Sequence, residues 1–533
     1  MASPGSARSG PAGGWGAASA SASRSIDALR AACVRSPNSA RPRIDLARAL
    51  LKAGRAAEAV VPAEQAVAIA PSLRAAIEAR EAVMAALQAG DPDLVALELT
   101  AALEPLNVQA QLALGDAYAA IDRPHDAERH FKAALALGAA RDANAALGAL
   151  YLAVGMLDAA GHHAKAVLAG EDRGAVDDTL IAMALQTLAG VCTARDDAEA
   201  AAQHLDRAYE RQSLYRQPAP AAAFTTLVLL TRSQGNIAYQ SLLPPLRFDR
   251  AVWYMEHARL TQIADLPAHA VVLNAIGDPD AAIASGEVVD AFVAQCDRPV
   301  LNDPARVRAT FRHRLGETLA GIDDVIVPLT VRLSAAEIAG KGLSAAVVEA
   351  GVETPLLVRP VGSHGGAGLF RADDAATLAA IEPPPDLDAY ITRFHDTRSA
   401  DGFYRKYRVI FVDRRAFPYH LAIGRDWMVH HQSTDMAGDA ARTEEELAFL
   451  RDPAAAIGAR AMAAVEAIGR RLDLDYAGLD FALTADGQVL VFEANATMLT
   501  HLEPTDGPFA AKNPYVQPII DAFQARLATL AGS

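Results

Sequence analysis

Apolar positions recur along this chain with two different periods, and the change falls just beyond residue 212. From about Ser39 to Gln212, Ala and Leu return at helical spacing between short polar turns, which predicts a run of α-helices. The run also repeats itself. Leu114-Gly115-Asp116-Ala117-Tyr118 returns as Leu147-Gly148-Ala149-Leu150-Tyr151, 33 residues later, and Pro71 is followed by Pro105 after 34. Ala127, Phe131 and Ala134 follow the first copy at one-turn spacing, Ala160, Ala164 and Val167 follow the second, and Ala59 and Ala66 belong to an earlier unit. A small residue, an aromatic three positions on, and small residues on the next helix are what close packing of a helix pair requires. A generic Ala-rich bundle has the composition but not the period, so about five degenerate helix-pair repeats are expected over residues 39–212.

After a stretch with Pro218 and Pro220, read as a linker over residues 213–224, the pattern changes. Thr225–Leu230, Ala251–Met255 and Ala270–Asn274 are short apolar runs bounded by polar or Pro/Gly segments. With the helix-like Ala281–Gln295 and the run Pro299–Asn302, they predict a small α/β domain with a parallel sheet over residues 225–303. Residues 304–530 read as a helix near Pro304–Leu319, further strands, a Gly-rich loop and a closing strand pair. Residues 1–38 are a tail and a first helix; the first 25 residues are Gly, Ala and Ser with a few Arg, a disordered tail without the apolar core of a signal peptide.

Composition narrows the function. A net charge of −15 and a pI near 5.4 argue against the concentrated basic face that nucleic acid requires. No window approaches the ~18 uncharged apolar residues of a membrane span. Three distant cysteines, Cys33, Cys192 and Cys296, give neither a disulfide framework nor metal spacing, and a reducing cytoplasmic location fits best. Of the 49 basic residues only Lys52, Lys132, Lys165, Lys341, Lys406 and Lys512 are lysines, so Arg is expected to stand where lysine could serve.

The candidate chemistry begins at Asp475–Met498. Two alternating apolar runs flank Asp486-Gly487, a favoured two-residue hairpin turn. That turn sets Thr484 opposite Val489 and Asp480 opposite Glu493, with Asn495 on the same face. Opposed carboxylates with Cβ atoms ~5 Å apart repel unless a cation lies between them. Two carboxylates and an amide oxygen suit Mg²⁺ or Mn²⁺. Upstream, the strand Leu356-Leu357-Val358-Arg359-Pro360 runs into Val361-Gly362-Ser363-His364-Gly365-Gly366-Ala367-Gly368-Leu369. Glycines let such a loop fold its N–H groups over a polyphosphate, and Arg359 supplies a counter-charge. The loop lacks the Gly-Lys-Ser/Thr of a Walker sequence.

Two resemblances follow from these residues. The helix pairs resemble tetratricopeptide repeats, whose stacks present a concave groove, and this implies a peptide or protein partner bound there. Residues 225 to 525 resemble the ATP-grasp superfamily, in particular ligases of the glutathione synthetase and ribosomal-protein glutamate ligase type. The resemblance is carried by Asn302-Asp303-Pro304 opening a helix, by Arg359-Pro360 with its Gly-rich flap, and by Asp480, Glu493 and Asn495, which match the family's Mg²⁺ ligands. The implied fold class is an all-α helical repeat followed by an α/β plus α+β ATP-grasp fold, a Rossmann-like domain and two lobes clamping ATP.

The resemblance also implies roles. Arg359, with Ser363, Gly365 and Gly366 of the flap, and Arg312 (or else Arg308 or Arg314) stand toward the nucleotide phosphates, both cations where the family uses Lys. Tyr390-Ile391-Thr392-Arg393-Phe394 resembles the hinge that pairs with adenine, Arg408 matches the strand Arg that steadies the transferred phosphate, and Asp396 or Asp401 is the candidate ribose acid. Lys406 is a further phosphate or carboxylate contact, and His420, Arg425, Trp427, His430 and His501 are candidates to hold substrate or take a proton. The implied reaction is ATP-driven activation of a carboxylate as an acylphosphate, captured by an amine acceptor to give an amide, ADP and phosphate. Phosphoryl transfer to another acceptor, or a repeat-based scaffold whose ATP-grasp fold has lost catalysis, are the competing readings.

Overall fold

The structure is a computed structural model and describes residues 17–89, 92–169, 177–219, 222–232, 235–244, 247–363, 366–429, 434, 436, 438–505 and 507–532. The chain divides into two compact units, one ending at Gln212 and one beginning at Ser213.

The first unit is helical. A helix α1 (Ala17–Arg35) reaches into the stretch expected to be a disordered tail. Five helix pairs follow: α2 (Ala40–Lys52) and α3 (Ala56–Ile69), α4 (Arg74–Gln88) and α5 (Pro92–Leu103), α6 (Val108–Ala120) and α7 (Pro124–Ala136), α8 (Ala140–Ala153) and α9 (Leu157–Leu168), α10 (Asp178–Thr193) and α11 (Ala198–Arg211). The small residues of the repeat lie where helices touch. A Cβ built on Gly115 of α6 would stand 2.6 Å from Phe131 Cδ1 of α7, and one on Gly148 of α8 would meet the α9 backbone at Ala164 N, 3.4 Å away. Tyr118 and Tyr151, three residues on from each glycine, are buried in the same core.

The second unit contains three sheets. In the first, β1 (Leu214–Gln217), β3 (Asp249–Tyr254), β2 (Thr225–Leu230), β4 (Val271–Asn274) and β5 (Val300–Leu301) lie side by side in that order. All but the edge strand β1 are parallel. β1 falls inside the stretch read as a linker. Its Leu-Tyr-Arg-Gln pairs with β3, with Tyr215 edge-on to Tyr254 at 6.0 Å, a pairing that the following prolines hid in the sequence. The parallel strands read as continuous apolar runs because both faces are covered. Leu227 and Leu229 point toward Trp253 and Phe292, whereas Val228 and Leu230 enter the large core of the unit.

The second sheet runs β7 (Thr330–Leu333), β10 (Ala389–Arg393), β8 (Leu356–Pro360), β9 (Phe370–Ala372). The third runs β12 (Arg415–Gly424), β11 (Tyr404–Val412), β13 (Tyr476–Leu483), β14 (Val489–Asn495), β6 (Val325–Ile326), backed by helices Ala459–Leu472 and Asn513–Ala531. Two devices tie the parallel sheet to the third sheet. Asn302, at φ 58°, donates from Nδ2 to Tyr476 O and accepts the Tyr476 N–H, each at 2.9 Å, standing in for a neighbouring strand. Gly277, after β4, lies so close to the end of β14 that an added Cβ would meet the Ala496 carbonyl carbon at 2.9 Å. The helix expected over Pro304–Leu319 is two short helices, Pro304–Arg308 and Leu315–Thr318, separated by a turn. Among the described residues no helix is long and apolar enough to cross a membrane.

Candidate active site

The closing hairpin reaches its expected pairing by an unexpected route. Thr484 donates its N–H to Gln488 O at 3.0 Å, and Gly487, at φ 75°, donates to Thr484 O at 2.9 Å. The loop is therefore Ala485-Asp486-Gly487, and Leu483, not Thr484, faces Val489. One extra residue on β14, Phe492, then shifts the ladder back, so Phe481 pairs Val491 and Asp480 pairs Glu493. The two departures cancel at the carboxylates.

The neighbouring strands extend this pair into a row. Arg408 of β11 stands opposite Asp480, and His420 of β12, buried, stands opposite Arg408. Arg408 grips Asp480 with both ends of its fork, Nε to Oδ1 at 2.6 Å and Nη2 to Oδ2 at 2.8 Å, and Lys406 Nζ adds a contact at 2.9 Å. Glu493 is met from outside the sheet by Arg312 Nη2 at 2.6 Å and by Asn495 Nδ2 at 2.6 Å. Asn495 turns its oxygen elsewhere, accepting from Thr497 N–H and Oγ at 2.9 Å each. Each carboxylate thus has its own cationic partner, which removes the mutual repulsion inferred from the sequence.

These partners set the charges. Burial alone would push the Asp480 carboxyl up, but Arg408 and Lys406 outweigh it and hold it far below the usual carboxylate range. Glu493 is likewise opposed by burial, and Arg312 and Arg359 bring it down to about 2. Both stay ionised at neutral pH, and two opposed, ionised hard-oxygen donors fit a divalent cation such as Mg²⁺.

Arg312 sits on the turn between the two short helices and not on a helix as expected. Of the three arginines considered there, it is the one that reaches the hairpin; Arg308 pairs with Asp290 at 3.0 Å, and Arg314 precedes the second short helix. Arg359 ends β8, opposite Tyr390 of β10. Its Nε is buried and has no hydrogen-bond partner among the described residues. Burial, reinforced by the like charge of Arg312, lowers its pKa. Both arginines line a small cavity with Ser363, Glu493, Asn495 and the acids Asp278 and Asp280. Ser363 Oγ donates to Pro360 O at 2.8 Å, and Gly366 takes φ 82°. Gly365 and His364 lie outside the described residues, as does His430.

A larger cleft adjoins, with Arg312, Arg359, Lys406, Asp480 and Glu493 at its polar end and Leu357, Leu369, Phe394, Trp427, Leu490 and Phe492 along its walls. Arg393 lines it from β10, and Phe394 is covered by Arg371, whose guanidinium carbon is 4.0 Å from the ring centre. The hinge amides of Arg393 and Phe394 are already committed, to Leu329 O and Pro355 O at 2.9 Å each, because β10 continues its pairing there. Both candidate ribose acids are also engaged, Asp396 with Arg398 at 3.2 Å and Asp401 with Arg405 at 2.7 Å. Arg425 is not brought to the site. β12 ends at Gly424, and Arg425 lies exposed over the Phe403 ring, 4.6 Å from its centre. His501 bonds Tyr419 Oη at 3.1 Å and stands beside Glu503 at 3.7 Å.

Sequence reasoning missed Asp278 and Asp280. Asp280 accepts from Tyr390 Oη at 2.9 Å and pairs with Arg332 at 3.0 Å, and burial raises its pKa. The available signal was position: Asp278-Pro279-Asp280 follows the carboxyl end of a parallel strand, where open α/β sheets present their ligand sites.

No protein-family model matches the sequence, and no curated protein matches it. Solved structures give similarity of fold. Carboxyaminoimidazole ribonucleotide synthase from Asperigillus clavatus, complexed with ATP, matches 56% of this chain and 76% of its own at 13% identity and TM-score 0.34. A RimK domain ATP-grasp protein from Sphaerobacter thermophilus matches 55% of this chain and 99% of its own at 15% identity and TM-score 0.31. Both correspond to the C-terminal part. YrrB, a TPR protein with an unusual peptide-binding site, corresponds to the N-terminal helices, covering 35% of this chain and 93% of its own at 20% identity and TM-score 0.20.

Proposed function

We propose that the second unit is an ATP-dependent carboxylate–amine ligase that works through an acylphosphate, and that the helical repeats recruit a peptide or protein. The observation that supports this best is Arg359: a guanidinium whose buried Nε has no acceptor among the described residues, and which feels the like charge of Arg312 at a cavity beside two ionised carboxylates. Such a group is satisfied by an anion rich in oxygen acceptors, and polyphosphate is one.

Mg-ATP, when bound, supplies the γ-phosphoryl group that converts a carboxylate into an acylphosphate for an amine to capture. Asp480 and Glu493 are the residues that would hold the divalent cation. Arg359 and Arg312 would bind phosphate oxygens, their charge opposing what develops on the transferred group. Arg408, fixed by its fork on Asp480, orients that carboxylate and stands next to His420, which is placed to accept a proton on the acceptor side. The apolar walls at Phe394, Leu490 and Trp427 would exclude water around the base.

Calorimetry of Mg²⁺-dependent ATP binding by wild type and Glu493→Ala tests the site, followed by hydroxamate formation from candidate carboxylates, ATP and hydroxylamine. Metal-dependent binding that weakens in the variant, then hydroxamate, supports the ligase; ADP release without hydroxamate points to transfer to another acceptor. A second reading, a scaffold with a retired catalytic fold, is favoured by one specific observation: Arg in place of Lys at both phosphate-side positions, with Asn495 Oδ1 turned onto Thr497. No ATP binding in either protein would select it.

A further inference from the structure

Three of the four carboxylate oxygens best placed for a divalent cation are already engaged. Arg312 holds Glu493 Oε1 at 2.6 Å, and Arg408 and Lys406 cover both oxygens of Asp480. Among the described residues no group of three His, Cys, Asp or Glu side chains is arranged to hold a metal ion. Four cations, Arg312, Arg359, Lys406 and Arg408, surround the two hairpin carboxylates at the joined cavities. At the hairpin pair itself the cations outnumber the carboxylates, and Asp278 and Asp280 also line the smaller cavity.

The four cations are not equivalent. Arg408 and Lys406 leave from the middle of β11, and the Arg408 fork is fixed on Asp480 at two points. Arg312 leaves from a turn, and the one hydrogen-bonded carboxylate it holds is Glu493. It also shares the smaller cavity with Arg359, whose Nε has no partner among the described residues. An anion seated on Arg359 therefore offers Arg312 a second acceptor without disturbing the sheet. The cation site and the anion site are coupled through one movable guanidinium.

We infer that Arg312 is a positioning residue that guards the cation site: without nucleotide it occupies Glu493 Oε1, and a divalent cation gains that oxygen only when a polyphosphate draws the guanidinium away. This rests on reading the cavity as a nucleotide site. It makes binding ordered, nucleotide first or together with its cation.

The test is Mn²⁺ binding followed by electron paramagnetic resonance on the full chain, alone and with a non-hydrolysable ATP analogue, with the cation held by free analogue subtracted. Wild type is expected to bind Mn²⁺ roughly 100-fold more tightly with the analogue than without it, near the upper end of ordinary coupling between sites. Arg312→Met is expected to tighten nucleotide-free binding and shrink that ratio below about 10-fold. Because coupling is reciprocal, Mn²⁺ must raise the analogue's affinity for wild type by the same factor, a check that needs no variant. Nucleotide-free Mn²⁺ binding by wild type that Glu493→Gln abolishes would overturn the guarding role while leaving the site itself intact. An unchanged ratio in folded Arg312→Met would do the same. Equal Mn²⁺ uptake by wild type and Glu493→Gln with the analogue present would remove Glu493 as a ligand, and with it both the site reading and the inference.

Discussion

Replacing Arg359 with methionine separates what the residue does for the fold from what it does for a ligand. Methionine keeps an unbranched apolar stem on β8 and removes a guanidinium whose buried Nε has no partner among the described residues and which feels the like charge of Arg312. A buried donor left unsatisfied costs about 1–3 kcal/mol. Some of that is offset, since Arg359 also helps keep Glu493 ionised. The net expectation is a variant more stable by about 1 kcal/mol, or ~2 °C in melting temperature for a domain of this size. For a phosphate ligand the sign reverses. Hydrogen bonds to charged groups contribute about 1.5–3 kcal/mol, so ATP affinity should fall roughly 10- to 150-fold. Tryptophan fluorescence melts report mainly on this unit, because Trp253 and Trp427 both belong to it. The expected result is a higher melting temperature without ligand and a loss of the upward shift that Mg-ATP gives wild type. A variant that melts lower and keeps the Mg-ATP shift would refute the reasoning, since Arg359 would then be a structural cation with no anion to meet.

Other consequences are testable with stability measurements alone. Gly115→Ala should cost about 1–2 kcal/mol in urea unfolding followed by circular dichroism, because the clash with Phe131 outweighs the ~1 kcal/mol gain in helix propensity. Lys512 and Glu446 form an almost fully buried pair at 3.3 Å, so Lys512→Met should destabilise the unit by about 3–5 kcal/mol, and adding Glu446→Gln should recover most of the loss in a double-mutant cycle. Glu493 titrates at about 2 in the fold against an ordinary 4.5, so it contributes stability above pH 4.5 that is lost as pH falls toward 2. That contribution is up to ~3 kcal/mol, and Glu493→Gln should give a visibly shallower acid limb in a pH series of melts.

The sequence revealed most where geometry is local and periodic. Tyr118 and Tyr151 announce the helix pairs, because a 33-residue repeat of small and aromatic positions has a direct packing meaning. The Asp480–Glu493 pairing was also legible, although the loop is one residue longer than read and Phe492 makes up the difference. A bulge leaves no mark on an alternating apolar run, so only the backbone could disclose it. What could not be read were partners made across elements distant in sequence. The sequence points to Arg312 ahead of Arg308 and Arg314, but toward phosphate; its meeting with Glu493 is decided by the break in the expected helix. Arg425 looked close to the site along the chain, yet it leaves the sheet after Gly424 and covers Phe403 instead. Asp278 and Asp280 were overlooked because their meaning comes from the end of β4 and from Gly277 packed on Ala496.

The guanidinium lining of the small cavity also bears on chemical durability. An acylphosphate is an acylating agent toward any amine it can reach, and a lysine beside it alternates between a protected ammonium and a nucleophilic free base. Arginine does not lose its proton in proteins and offers no such lone pair. If the proposed ligase reaction holds, Arg312 and Arg359 in the cavity, with the nearby Lys406 held on Asp480 at 2.9 Å, would limit labelling of the protein by its own activated substrate. The same lining puts the cavity beyond the reach of lysine acylation as a cellular modification, so any control by that route would have to act elsewhere on the chain.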